Sequence, residues 1–304
     1  MTSTWRNHDC RALVIAIAGS ALVFAASFTV RPNTGVVAQA QATMVEPYET
    51  PKARLQTIIN GILAAWDKAD VVCLGEDHGS RNDSDLRITL VQHPHFISKV
   101  NVIIVEFADT LQQDLLDRLV LEGEDIPRDQ LRVVWKDTSG KAVWESPIYE
   151  AFLRAVRKIN LTLPREKRVR LIGGDNSNES NRGRFIREAV SREILDKSLK
   201  GLAVYGSGHC ERRGMGFPGE LNDKYPGKIL ATSSFYDVDE GRRLFGLRDE
   251  PKLIPITGTE KAKLPVGKMF FSGRYNDPAT LGDMFNAVIY YGNATDMKVG
   301  PQKN

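Results

Sequence analysis

Short, unbroken runs of Val, Ile and Leu recur along this chain, and each stops at Gly, Asp, Asn or Glu. The clear ones are 71–74, 102–105, 169–172 and 202–205; 229–231 and 253–256 are weaker, and 287–291 closes the series. Continuous apolar runs suit strands covered on both faces, as in a parallel sheet, whereas alternating runs suit half-exposed ones. Between them apolar residues fall at helical spacing. Leu55, Ile58, Ile59 and Leu63 share a stripe in 52–68, and 85–91 follows a polar start at 80–84. Further helical stretches are 111–121, 147–159, 182–195 and 281–285. This alternation implies an α/β fold, a mostly parallel central sheet flanked by helices. The mostly helical interval 122–163 reads as an insertion between the second and third strands, and the Gly- and Pro-rich 214–226 as a loop over the sheet's end.

The first 42 residues stand apart. Arg6 and Arg11 precede an apolar stretch at 12–30, and Ala38, Ala40 and Ala42 supply the small residues of a cleavage site. That pattern is a secretory signal peptide, or an uncleaved membrane anchor, since 19 apolar residues can also span a bilayer. Either way the single α/β domain expected at 43–304 is exported, to the periplasm or the medium, and meets a membrane only through this segment. Beyond residue 42 the chain carries 38 basic and 37 acidic residues, which argues against a nucleic-acid partner. With 26% charged and 42% hydrophobic residues it is neither disordered nor a multi-span membrane protein.

Polar residues gather where the strands stop. The first run leads into Gly75, Glu76, Asp77, His78 and Gly79, the second into Glu106, the third into Asp175, and the fourth into Gly206, Ser207, Gly208 and His209. Ligands of open parallel sheets bind beyond the carboxyl ends of the strands, so these groups are expected to converge there. Two imidazoles with several carboxylates suit either acid–base chemistry or a divalent metal (Mn, Co, Zn or Fe) held by His78, Glu106, His209 and Asp175. No phosphate-binding glycine loop is present.

The G-E-x-H turn at 75–78, Glu106 after its apolar strand and the late G-x-G-H at 206–209 together resemble the ChaN-like/Tiki superfamily, which includes the erythromycin esterase-like proteins. Arg87 after the first motif and the tail at 281–290 are similar to the esterase branch. The resemblance covers roughly 71–291. It implies an active centre of Glu76, His78, Glu106, His209 and Arg87. The Tiki branch implies divalent-metal hydrolysis, the esterase branch water activation on a lactone by His and Glu, and the ChaN branch haem binding. A different Glu–His spacing and Asn286 in the tail, where the esterases often carry Asp, point away from macrolides.

Each candidate also has a plainer role. Glu106 could form a salt bridge to Arg87, Glu76 or Asp77 could cap the next segment, and Asp175 could either orient a histidine or start a turn with Asn176. Cys73 and Cys210 could pair in an oxidising compartment or Cys210 could bind a soft metal; the reading adopted is a buried Cys73 and an incidental Cys210. Ser207 lacks a nucleophile elbow and reads as a backbone turn, His93 and His95 flank Pro94 in a loop, and Tyr205, Tyr236 and Tyr290 are not distinguished from core aromatics. The expectation is an exported hydrolase acting on an ester, lactone or peptide bond of a small molecule or peptide. In it Glu76 or Glu106 is the base, His78 and His209 bind a metal or polarise a carbonyl, and Arg87 holds a carboxylate or oxyanion. The alternatives are a non-catalytic haem- or metal-binding uptake protein and a degenerate interaction domain.

Overall fold

The computed structural model describes residues 52–138, 141–235, 238–267, 270, 278–292 and 296–301; the N-terminal segment lies outside them. Seven strands form one sheet: β1 (Val71–Glu76), β2 (Val102–Asp109), β3 (Arg170–Asp175), β4 (Gly201–Gly206), β5 (Ile229–Ser234), β6 (Lys252–Pro255) and β7 (Ala287–Tyr290). Their order is β3-β2-β4-β1-β5-β7-β6. All pairings are parallel except that of β6 with β7 at the edge. The α/β architecture read from the apolar runs is therefore the observed one, and even the weaker runs are strands. Every residue of β1, β2 and β4 is buried, as their unbroken apolar character requires.

Helices α1 (Lys52–Ala65), α2 (Arg81–Val91), α3 (Gln113–Asp117), α4 (Arg128–Leu131), α5 (Lys141–Trp144), α6 (Pro147–Asn160), α7 (Arg182–Glu193), α8 (Phe217–Lys224), α9 (Val238–Phe245) and α10 (Leu281–Met284) connect the strands. The Ser80 hydroxyl caps α2 by accepting from Asp83 N at 3.1 Å, so this helix starts earlier than its apolar pattern suggests. The insertion between β2 and β3 holds α4, α5 and α6, and α6 packs against α2. The stretch 214–226 is not all loop. Pro218 lies in the first turn of α8, where its missing N–H leaves no bond unmade.

Two of the sequence's plainer expectations are corrected here. Cys73 of β1 and Cys210, just beyond β4, form a disulfide inside the core packed around Val71, Ile104 and Val190. The backbone of β1 brings Cys73 beside Ala203 of β4, so the chain after β4 needs only a short turn to bring Cys210 back over β1. Glu106 is not at a strand's mouth either, because β2 runs on through Asp109 with an irregular register after Val105.

The disulfide closes a loop of 137 residues. Replacing both cysteines by serine is expected to lower unfolding free energy by about 2–5 kcal/mol, read from denaturant melts, with reductant producing a similar loss in the wild type alone.

Candidate active site

The sheet order places the ends of β3, β2, β4 and β1 side by side, and the polar residues that follow those runs meet there. Glu76 ends β1 with 4% of its surface exposed. Its Oε1 faces His78 Nδ1 at 3.0 Å and accepts from Tyr149 Oη at 3.0 Å, while Oε2 takes Arg87 Nη1. Burial pushes the Glu76 carboxyl up, but the Arg87 charge and the His78 contact outweigh it and hold the group ionised, below its usual value. An ionised carboxylate only accepts, so neutral His78 carries its proton on Nδ1 and leaves Nε2 with a lone pair.

Arg87 is itself buried. Its guanidinium lies 4.8 Å from the Tyr149 ring centre, 5.5 Å from Phe107 and 5.7 Å from Phe152. It therefore cannot meet a substrate carboxylate or oxyanion as the sequence reading supposed. Nor does it pair with Glu106. Tyr149 also accepts from Gly79 N at 2.9 Å, and Trp144 sets its ring edge-on to His78 with centroids 4.6 Å apart. The insertion thus forms one wall of the site.

On the other side of His78, its Nε2 stands 3.9 Å from Glu106 Oε2. That oxygen also accepts from Gly206 N at 2.6 Å, and Oε1 lies 3.4 Å from His209 Nε2 and accepts from Arg182 Nη2 at 2.9 Å. Burial opposes a charge on Glu106, yet the hydrogen bond and charge of His209, the charge of His78 and the Gly206 N–H together hold its carboxyl far below the usual range. For His78, burial favours the neutral form, but the contact and charge of Glu76, followed by the charges of Glu106 and Asp77, raise its pKa above the ordinary 6.5. The His78 side chain is 36% exposed and that of His209 14%. Gly206 is required here: a Cβ at that position would come within 2.8 Å of the His78 ring.

Asp175 Oδ1 accepts from Asn176 N at 2.9 Å, which forms the expected turn, and from Arg182 Nε at 3.1 Å. Arg182 also decides the metal question. Its guanidinium spans Glu106 and Asp175, putting fixed positive charge between two of the four supposed metal ligands. Among the described residues no group of three or more His, Cys, Asp or Glu is arranged to hold a metal ion, and the divalent-metal set does not fit. Of the tyrosines weighed for haem or substrate, two are placed among the described residues. Tyr205 is buried with its hydroxyl donated to Gly174 O at 3.1 Å, Tyr290 is buried and accepts from Arg242 at 2.9 Å, Tyr236 lies outside the described residues, and His78 Nε2 faces a carboxylate.

Arg182, Tyr149 and Trp144 were not singled out from sequence. Arg182 opens the helix after β3, a position that could have marked it; the two aromatics carry no such signal.

No family model and no curated protein matches the chain. Among solved structures, a Bacillus cereus protein aligns over 83% of this chain and 100% of its own, at 12% identity and a TM-score of 0.54, a likeness of fold. ChaN of Campylobacter jejuni, described with cofacially bound haem, covers 59% of this chain and 86% of its own at 17% identity; its TM-score of 0.41 carries no functional argument.

Glu76→Gln leaves the Arg87 charge buried without its counter-ion and is expected to destabilise the fold by about 3–5 kcal/mol in denaturant melts. Adding Arg87→Met should recover part of that loss, whereas two additive losses would show that the pair is not coupled.

Proposed function

We propose that this protein is an exported hydrolase in which His78 activates water for attack on the carbonyl of an ester, lactone or peptide bond. The observation that carries this reading is the ordered series Arg87, Glu76, His78, with a 3.9 Å gap between His78 Nε2 and Glu106 Oε2. A carboxylate behind one imidazole nitrogen fixes the tautomer that makes the other nitrogen a base. A water beside the gap would give one proton to Nε2 and hold its other hydrogen toward Glu106. The glutamates are poor bases here, Glu76 because its oxygens are taken and Glu106 because its charge is so strongly stabilised. Attack forms the bond from water oxygen to carbonyl carbon, and His78 then passes the proton to the departing alcohol or amine. Arg182, partly exposed beside Glu106, would supply a donor for the carbonyl oxygen as it gains negative charge.

Export is supported by the Cys73–Cys210 disulfide, since such bonds persist in oxidising compartments, together with the apolar segment at 12–30. No helix among the described residues is long and apolar enough to cross a membrane.

A panel of aryl esters, lactones and peptides, with a parallel haem titration, tests the reading. The rate should rise with pH through a value above 6.5, because the raised His78 pKa must be passed before the base is free. Glu106→Gln keeps an acceptor for Gly206 N but removes a charge that raises His78, so the acid limb should move to lower pH. His78→Ala should lose at least about 100-fold in kcat. Undiminished hydrolysis by His78→Ala, or a Soret band without any hydrolysis, would refute the proposal.

A further inference from the structure

Residues 296–301 return to the turn that carries His78. Asn82 N donates to Asp296 Oδ1 at 3.1 Å, Arg81 N to Met297 O at 3.0 Å, and Val299 N to Gly79 O at 2.8 Å, while Lys298 and Ser80 form an antiparallel bridge. This pairing delivers Lys298 Nζ to Asp77 Oδ2 at 2.6 Å, to His78 O at 3.0 Å and to Asp77 O at 3.3 Å. An ammonium has three protons and no acceptor, and all three acceptors here belong to one dipeptide.

We propose that Lys298 is a positioning residue for His78: its ammonium, brought in by the C-terminal segment, locks the outer side of the His78 turn and so sets the imidazole's approach to Glu106. The proposal rests on reading His78 as the base. The inner side of the turn is tied through its N–H groups, Asp77 N to Asp83 Oδ2 at 2.8 Å and Gly79 N to the Tyr149 hydroxyl at 2.9 Å. On the outer side, Lys298 is the donor to His78 O among the described residues. The turn belongs to neither β1 nor α2; Ser80 N holds Asp77 O at 2.9 Å and Val299 N holds Gly79 O, which leaves the His78 carbonyl to the Lys298 side chain.

Lys298 also acts through charge. Groups facing His78 are Glu76 from β1, Glu106 from β2 and Asp77 of its own turn; Arg87 and Tyr149 reach it through Glu76, and Arg182 and His209 through Glu106. Asp77 favours protonated His78, and Lys298 offsets that carboxylate. Without Lys298 the imidazole should hold its proton to higher pH.

The test compares full-length wild type with Lys298→Met, Lys298→Arg, Asp77→Asn and the Lys298→Met/Asp77→Asn pair. It reads kcat, KM and the imidazole titration of His78 by NMR. Lys298→Met should lower kcat by about ten- to a hundredfold with KM changed less than about twofold, and should move the His78 titration to higher pH. Lys298→Arg should restore most of kcat, and adding Asp77→Asn should bring the titration back down. A Lys298→Met protein with wild-type kcat and an unmoved titration would overturn the proposal. If Lys298→Met does not fold, Lys298→Gln, which keeps a donor but no charge, decides: it should raise the His78 titration, and an unmoved one counts against the contact. Should His78→Ala hydrolyse as fast as wild type, the base assignment fails on its own, while the NMR titration still settles whether Lys298 governs the imidazole.

Discussion

Beneath the end of β1 two opposite charges, Arg87 and Glu76, are withdrawn from water together. Neither is tolerable there alone, because an unpaired buried ion costs several kcal/mol, and so each fixes the other. The aromatic rings of Phe107, Tyr149 and Phe152 surround the guanidinium and leave it one carboxylate to answer. Glu76 is thereby held in one orientation, and His78 inherits that orientation through Nδ1. The wall built by α5 and α6 depends on the same pair, since Tyr149 is bonded both to Glu76 and to the turn beside it.

A second ion pair mirrors the first across the imidazole. Arg182 holds Glu106 as Arg87 holds Glu76, but at a partly exposed position and with Asp175 as a further partner. The difference in exposure separates their roles. The buried pair is a fixed scaffold. The outer one is reached by solvent, its guanidinium side chain being 31% exposed.

Much of this was legible in the sequence because burial on both faces leaves unbroken apolar runs. β5 read weakly since Thr232, Ser233 and Ser234 occupy its second half, and these are accommodated by local bonds such as Thr232 Oγ1 to Cys73 O at 2.8 Å. β6 read weakly because it is a short edge strand ending at Pro255. The G-E-x-H and G-x-G-H turns announced themselves through glycine. By contrast Tyr149, Arg182 and Lys298 join the site from segments far along the chain, and only the folded geometry distinguishes them from other aromatic and basic residues. Metal ligation was a fair reading of the donor types, but composition does not reveal that a guanidinium lies between the carboxylates. The disulfide was hidden for a similar reason, as it depends on β4 lying beside β1.

That neighbour relation orders events in time. β4 lies between β1 and β2, so the first two strands never touch and cannot make a hairpin-like or βαβ nucleus of their own. Glu76 and Glu106 are not held in one site until the chain has been supplied through Gly206, a hundred residues after Glu106. Closing so long a loop is slow compared with local helix formation. A chain made only as far as β2 therefore lacks the Glu76–His78–Glu106 arrangement. That arrangement assembles when the fourth strand enters the middle of the sheet.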